Sequence, residues 1–451
     1  MAQNVQAGAA VIDITPAVGI AMGGYGARQG VSSGIHDPLF VRTLVLDDGE
    51  TKLVLAVCDL VGVPAELAEQ ACAHIERDLG IPRANVSISA THTHSGPLLR
   101  TDGVEDLISV TARKIAGSVQ VALSRLQPVR LKVGSVEVTT VSQNRRDPEG
   151  PIESVATILL AAPDRGAEPV ATVVNYACHA TVLEHDNLLY SADFPGVIAR
   201  AVEREVGGAG IYVQGAAGNI NPIWMRHDFR EVDRIGGILG MAAARVAHEL
   251  RPLDEGQWAV NLSWSEITPK EPAAGTVLDG IRLAAVRRTF DVPRRALPEL
   301  TEIQGEIDTI EAGLSGLPND DREGHRALRP RLNRLRMDRA QRQTDPAESG
   351  QTETVEFQAF RIADECAVVM LPGEFFVELG EEIRRAAGVK HLLICGYANM
   401  TAGYFPTAQA FSEGGYEAGR ARFAEEIGPL LAREAADLVR SLFAGAAPAG
   451  R

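Results

Sequence analysis

Asn85-Val86-Ser87-Ile88-Ser89-Ala90-Thr91-His92-Thr93-His94-Ser95-Gly96-Pro97 reads as a short strand that runs out into a polar Ser-Gly-Pro turn. Side chains alternate along a strand with period two, so two histidines two apart at its end lie on the same side of the chain. The protein has 10 histidines in 451 residues, so such a pair invites a metal reading. Neutral imidazole is the commonest protein ligand for zinc. A polar strand end whose histidines merely cap a loop fits the local pattern equally well, and the pattern alone leaves both readings open.

Outward from this segment the chain alternates. Upstream, residues 9–14, 41–46 and 53–59 read as strands, the last two joined by the hairpin turn Asp47-Asp48-Gly49. The glycine-rich Met22-Gly23-Gly24-Tyr25-Gly26 is followed by no helical pattern and lacks GxGxxG spacing. It therefore reads as backbone approaching a pocket, not as a phosphate cradle. Residues 64–79 have helical spacing and end at Ile81-Pro82. Downstream, helices are expected at 104–125, 196–206 and 235–250, with strands near 129–139, 155–161, 169–177 and 210–214. Strands at 352–362 and 367–371, a helix at 374–387, a strand at 391–398 and mostly helix over 413–443 complete the pattern. This predicts an α/β fold, a mixed sheet covered by helices, in one domain over residues 1–443. The Ala/Gly/Pro tail 444–451 is expected to be disordered. No internal repeat is visible.

Residues 285–345 break the alternation. Leu297, Leu300, Ile303, Ile307, Ile310 and Leu314, then Leu328, Leu332 and Leu335 beyond Gly316–Asp321, follow helical spacing and predict an inserted helical hairpin. Its first arm is acidic (Glu299, Glu302, Glu306, Asp308, Glu311) and its second basic (Arg326, Arg329, Arg331, Arg334, Arg336, Arg339). Opposite charges suit antiparallel arms of one chain, or arms of two subunits in a dimer. The hairpin is thus expected to shape the pocket or to mediate a homo-oligomer.

The formal charge of −15 argues against nucleic acid or an anionic membrane surface as the main partner. Five widely spaced cysteines without a CxxC are neither a disulfide framework nor a cysteine zinc site. No apolar run reaches the ~18 residues of a membrane span, so no stable membrane insertion is expected. The N-terminus lacks signal-peptide character, and the cytoplasm is the expected compartment.

A catalytic zinc needs about three protein ligands and an open position. Further candidates stand where regular structure breaks: His179 after the apolar run 173–178; Glu184, His185 and Asp193 just beyond; Glu374 after Leu371-Pro372-Gly373; and Tyr404 in the segment 398–407. Each has a plainer reading. Glu374 suits a helix N-terminus, Tyr404 a half-buried aromatic, and Glu184, His185 and Asp193 a polar loop. Asp37 and Asp59 read as supports for a ligand histidine or as strand-end acids.

Taken in order, Gly34-Ile35-His36, Thr91-His92-Thr93-His94-Ser95-Gly96-Pro97, Asn144-Arg145, His179, Leu371-Pro372-Gly373-Glu374, and Ala398-Asn399 with Gly403-Tyr404 resemble the N-terminal catalytic domain of the neutral/alkaline (non-lysosomal) ceramidase family, over roughly residues 8–440. The resemblance implies a ceramidase-like catalytic domain with zinc held by His92, His179, Glu374 and Tyr404. It implies that His94 faces the reacting centre and that Arg145 orients substrate. The implied chemistry is zinc-dependent amide hydrolysis by a zinc-bound hydroxide, the metal lowering the pKa of its water to roughly 7 and polarising the carbonyl. Nearby donors stabilise the oxyanion, and His94 helps the amine leave.

This chain departs from the family in three ways. The family's Gly-Asp-x-Ser-Pro-Asn segment is here Gly218-Asn219-Ile220-Asn221-Pro222-Ile223, so Asn221 can hydrogen-bond a substrate but cannot act as a nucleophile. Thr401 stands where the family has a second tyrosine. The family's C-terminal sandwich domain and secretion signal are not seen. A small or medium soluble N-acyl substrate is therefore expected rather than ceramide. An ester, lactone or cyclic-amide hydrolase on the same zinc site, and a non-catalytic binding protein that kept the fold, are the competing readings.

Overall fold

A computed structural model describes residues 5–100, 103–163, 168–251, 275–318, 321–344 and 351–444. The tail beyond 444, expected to be disordered, and Asn319 and Asp320 lie outside the described residues. The fold is mixed α/β, as expected, but it is built on several sheets instead of one.

The same unit occurs three times. In the first, strands Gln6–Asp13, Phe40–Asp47 and Lys52–Cys58 run antiparallel; helix Ala65–Leu79 then leads to Val86–Ala90, parallel to Lys52–Cys58, and helix Glu105–Ser124 follows. In the second, Arg130–Glu137, Val155–Ala162 and Ala171–Tyr176 are antiparallel; helix Asp193–Val206 leads to the parallel strand Ala209–Gln214, and helix Phe229–Leu250 follows. In the third, the antiparallel strands are Ala284–Pro293, Thr352–Ala363 and Cys366–Met370; helix Val377–Ala387, the parallel strand His391–Cys395 and helix Ile427–Ser441 complete it. Reading no repeat from the sequence therefore missed a structural one. The copies share strand order and hydrophobic alternation, and neither requires shared residues.

The alternation divides the core. Inward side chains of all three sheets, among them Leu44, Leu55, Leu159, Ile211, Ile362 and Met370, form one central cluster. Their outward neighbours pack under each unit's own helix pair: Val54 and Ile88 on Leu67 and Ile115, Ile158 and Tyr212 on Ile198 and Leu239, Val355 and Ile394 on Ile383 and Leu438. Strands covered on both faces read as continuous apolar runs, which is the pattern seen here. Buried amides fasten one sheet to the next. Asn175 Nδ2 donates to the Ile394 carbonyl at 2.8 Å and Asn175 Oδ1 accepts from Ile394 N at 3.1 Å. Asn399 likewise ties Ile88 N (3.0 Å) to Gln358 Oε1 (2.8 Å).

The hairpin consists of helices Leu300–Gly316 and Arg322–Thr344, inserted between the first two strands of the third unit. Residues 284–293 of the stretch read as its beginning are a strand. Ile303, Ile307, Ile310, Leu332 and Leu335 form a small core of their own. The charged arms pair within the chain: Glu306 with Arg331 at 2.9 Å, Glu311 with Arg336 at 2.7 Å and Glu299 with Arg342 at 2.9 Å. The charge pattern is thus accounted for without a second subunit. The region 413–443, read as mostly helix, is broken into Ala408–Glu413, Tyr416–Arg420 and Ile427–Ser441. Gly414 and Gly415 split it, with φ of +74° and +100°, values that glycine adopts without a Cβ penalty. Among the described residues no helix is long and apolar enough to cross a membrane.

Candidate metal centre and flanking cavities

In open α/β sheets ligands gather beyond the carboxyl ends of parallel strands, and the predicted residues do so here. His92 lies two residues past Val86–Ala90, His179 three past Ala171–Tyr176, and Glu374 four past Cys366–Met370. Tyr404 sits on the short strand Tyr404–Phe405, paired in parallel with Glu374–Phe375 so that Glu374 and Tyr404 are register partners. Glu374 is therefore not the helix-start acid its sequence context suggested. The following helix begins only at Val377, and Glu374 is held by a strand pair aimed at the histidines.

His92 and His179 are buried, and each ring is fixed through Nδ1. His92 Nδ1 lies 2.5 Å from the Val61 carbonyl and His179 Nδ1 2.6 Å from the Ala217 carbonyl. A carbonyl only accepts, so both Nδ1 atoms carry the proton and both Nε2 lone pairs point into the site. Outer hydrogen bonds of this kind orient metal-ligating imidazoles. Glu374 Oε2 lies 3.3 Å from His179 Nε2 and 3.6 Å from His92 Nε2. His179 Nε2 and Glu374 Oε2 are buried without a hydrogen-bond partner, as is Nδ1 of His94. Unpartnered buried polar atoms are costly and call for an explanation. A divalent cation would satisfy the first two, and the N/O donor set suits zinc among other ions. His92, His94 and His179 each offer a nitrogen within 4.8 Å of the others. Burial, the dominant cause, holds the pKa of both His92 and His179 down at about 3, which keeps the lone pairs free.

The His pair is arranged differently from a strand end. The strand stops at Ala90 and His92 adopts φ +65°, so the period-two argument is not what brings the rings together. The turn at His92 does so, leaving His92 Nε2 and His94 Nε2 3.1 Å apart. Tyr397, at the matching place in the third unit, also has a left-handed backbone (φ +55°), and its ring stacks on His92 at 4.0 Å. Such non-glycine conformations cost of order 1–3 kcal/mol and cluster at functional sites.

His94 is exposed to the cavities that His179 does not reach. It packs edge-on against Tyr25, with ring centroids 4.8 Å apart. A Cβ on Gly24, whose φ is +98°, would come within 2.4 Å of the His94 ring. The glycine-rich loop therefore serves close backbone approach to the pocket.

Arg145 lies in the site but is not free for substrate. It donates from Nε to Glu417 (2.6 Å) and from Nη2 to the Gly218 carbonyl (2.7 Å) and Tyr404 Oη (3.3 Å), while Nη1 is 3.4 Å from Asn221 Oδ1. Burial works against its charge, but Tyr404 and Glu417 more than offset this and raise its pKa. Its geometry is that of a positioning residue for Tyr404 and Asn221.

Two cavities, of about 640 and 600 Å³, meet at Gly24, His94, Tyr404, Tyr416 and Arg420. The first is lined by Tyr25, Trp224, Tyr416 and Asn221, with Arg336 reaching in from the hairpin. The second is lined by His92, Glu374, Thr401 and several charged groups. Glu184 lines the first cavity, 3.2 Å from His227. His185 is exposed beside Glu184. Asp193 is structural: its carboxylate accepts from the Leu183 and Phe194 amides at 3.2 and 2.7 Å, and burial pushes its pKa up to about 7. Asp59 supports Thr91 (3.2 Å) and Asp37 caps Ala192 N (3.0 Å); both are held by contacts other than the site histidines. Sequence reasoning missed Glu417, Tyr416 and Arg420, hidden in a stretch read as helix, and Tyr397.

The model of the neutral/alkaline non-lysosomal ceramidase N-terminal region matches residues 5–218. Neutral ceramidase of Pseudomonas aeruginosa is 26% identical over 90% of this chain and 67% of its own length. Neutral ceramidase of Mycobacterium tuberculosis is 29% identical over 45% of this chain and 36% of its own. The chain is thus similar to the neutral/alkaline ceramidase family, through the family's N-terminal region over residues 5–218 and through its relatives along most of its length. The crystal structure of the Pseudomonas neutral ceramidase superposes with a TM-score of 0.73 over 98% of this chain and 75% of that one, at 21% identity. A ceramidase complexed with C2 gives 0.74 at 20% identity. Both share the fold, and this chain spans about two thirds of the Pseudomonas ceramidase's length.

Proposed function

We propose that this ceramidase-like protein is a zinc-dependent hydrolase of the amide bond in a small or medium N-acyl substrate. One observation carries the metal part of the reading. Two buried imidazoles, each fixed through Nδ1 to a carbonyl, aim Nε2 at a buried carboxylate oxygen that has no hydrogen-bond partner. His92, His179 and Glu374 would hold the ion, with Tyr404 beside them. Likeness to neutral ceramidases supports the choice of a C–N bond. When bound, such an ion polarises a carbonyl and lowers the pKa of water.

The chain's own residues do the rest. His94 lines both cavities, so it can meet the scissile amide from the side and pass a proton to the leaving nitrogen. Asn221 and Tyr404, both held by Arg145, supply donors near the carbonyl oxygen. Asn221 cannot form an acyl intermediate, which favours direct attack by water.

The test is metal content per chain in native protein and in His92→Ala, paired with release from a panel of N-acyl amines, N-acyl amino acids, esters and lactones. About one zinc per chain, lost together with turnover in the variant, is expected. Protein that is metal-free as purified and inert after zinc addition would refute the reading.

A further inference from the structure

The second cavity holds more positive charge than its own carboxylates neutralise. Glu353 is engaged by Arg422 at 2.7 Å and by Arg294 at 3.4 Å. Glu374 faces the two imidazoles. Arg420, where the two cavities meet, has no carboxylate partner among the described residues. Among the described residues Arg100 donates only to the Thr401 carbonyl. A chain with a formal charge of −15 has acids to spare, yet among the described residues neither guanidinium is in an ion pair, Glu353 and Glu374 acting on Arg100 only from a distance. The first cavity, with Tyr25, Trp224 and glycine backbone, is the apolar one and suits an acyl chain.

An amide that straddles the floor places one half in each cavity. We infer that the substrate is an N-acyl amino acid, its acyl chain in the first cavity and its carboxylate on Arg420 and Arg100 in the second. The inference rests on the amide reading of the site and names its substrate class. A guanidinium fork matches a carboxylate bidentately, which no neutral amine substituent can use. Hydrolysis of such a substrate adds water across the C–N bond and releases a carboxylic acid and an amino acid.

Binding is measured separately from turnover, on the metal-loaded protein. The probes are the ketone isostere of octanoylglycine, in which CH2 replaces the scissile NH, and the carboxamide of that isostere. Calorimetry should show the acid binding about tenfold or more tighter than the carboxamide, the scale of a charge-assisted hydrogen bond. Arg420→Gln should reduce this preference at least several-fold, Arg420→Lys should retain part of it, and added salt should shrink it. In parallel, the kcat/KM ratio of octanoylglycine to its carboxamide should fall in Arg420→Gln, chiefly through KM. Equal binding of acid and carboxamide, or a preference that survives both Arg420→Gln and Arg100→Gln, would overturn the inference whether or not any amide is cleaved. Preferential binding of the acid without turnover of any amide would refute the hydrolase reading alone.

Discussion

The floor of the site and its rim are held in different ways. On the floor, His92, His179 and Glu374 each stand a few residues past a strand buried on both faces, with ring nitrogens pinned to backbone carbonyls. On the rim, Arg336 rides on a hairpin with a separate small core, and Arg420 ends a five-residue helix that follows Gly414-Gly415. The difference teaches a division of labour. The groups proposed to share one ion sit at strand ends, which give positional precision, whereas those proposed to select a substrate sit on a short helix and an inserted hairpin. The three-unit architecture suits this division. The turn after the third strand of a unit carries Val61 in the first, His179 in the second and Glu374 in the third, so one scaffold position supplies a backbone carbonyl, an imidazole and a carboxylate to the same centre.

The comparison can be broken most severely at the floor. Glu374→Gln keeps the shape but removes the charge between the two imidazoles. Turnover should fall at least about a thousandfold, the several kcal/mol a Lewis-acid ion supplies, and bound metal should drop below stoichiometric by elemental analysis. A variant that kept metal and rate would show that the three histidines suffice.

An intermediate effect should come from the contact between the glycine-rich loop and the floor. Gly24→Ala puts a methyl within 2.4 Å of the His94 ring on a backbone at φ +98°. It should lower kcat by about a hundredfold through displacement of His94, with metal content retained. Loss of metal in this variant would instead make His94 a ligand, which its 3.1 Å approach to His92 permits.

The smallest effect belongs to the hairpin. Arg331→Ala removes an ion pair whose side chains are 65% and 51% exposed. It should change stability by about 0.5 kcal/mol or less, read from denaturant midpoints. Deleting residues 300–344 and measuring mass in solution sharpens the same point: the arms already pair within one chain, so the mass should change only by the deleted segment.

Parts of the site were legible because their signals are local. THTHSGP combines a strand end with two imidazoles, and the hairpin carries its own three-and-four spacing, so Ile303, Ile307 and Leu332 could be placed without a tertiary structure. Glu374 was singled out but assigned to a helix, because Pro372-Gly373 looks like a helix start until its pairing with Tyr404 is known. Arg420 went unnoticed although Gly414-Gly415 marked the break before it. Its meaning depends on two cavities whose walls come from residues hundreds of positions apart.

The amino-acid sequence by itself determined the alternation of strands and helices and the hairpin, since hydrophobic period is a property of neighbouring residues, whereas the proposed donors were picked out by resemblance to the ceramidase family. Tertiary structure alone decided that three copies of one unit close around a shared core, that Arg145 serves Tyr404 and Asn221, and that Arg420 lines both cavities with no ion-pair partner among the described residues. These depend on which distant surfaces are buried against one another, and burial sets both the geometry of a donor and the charge left over for a ligand.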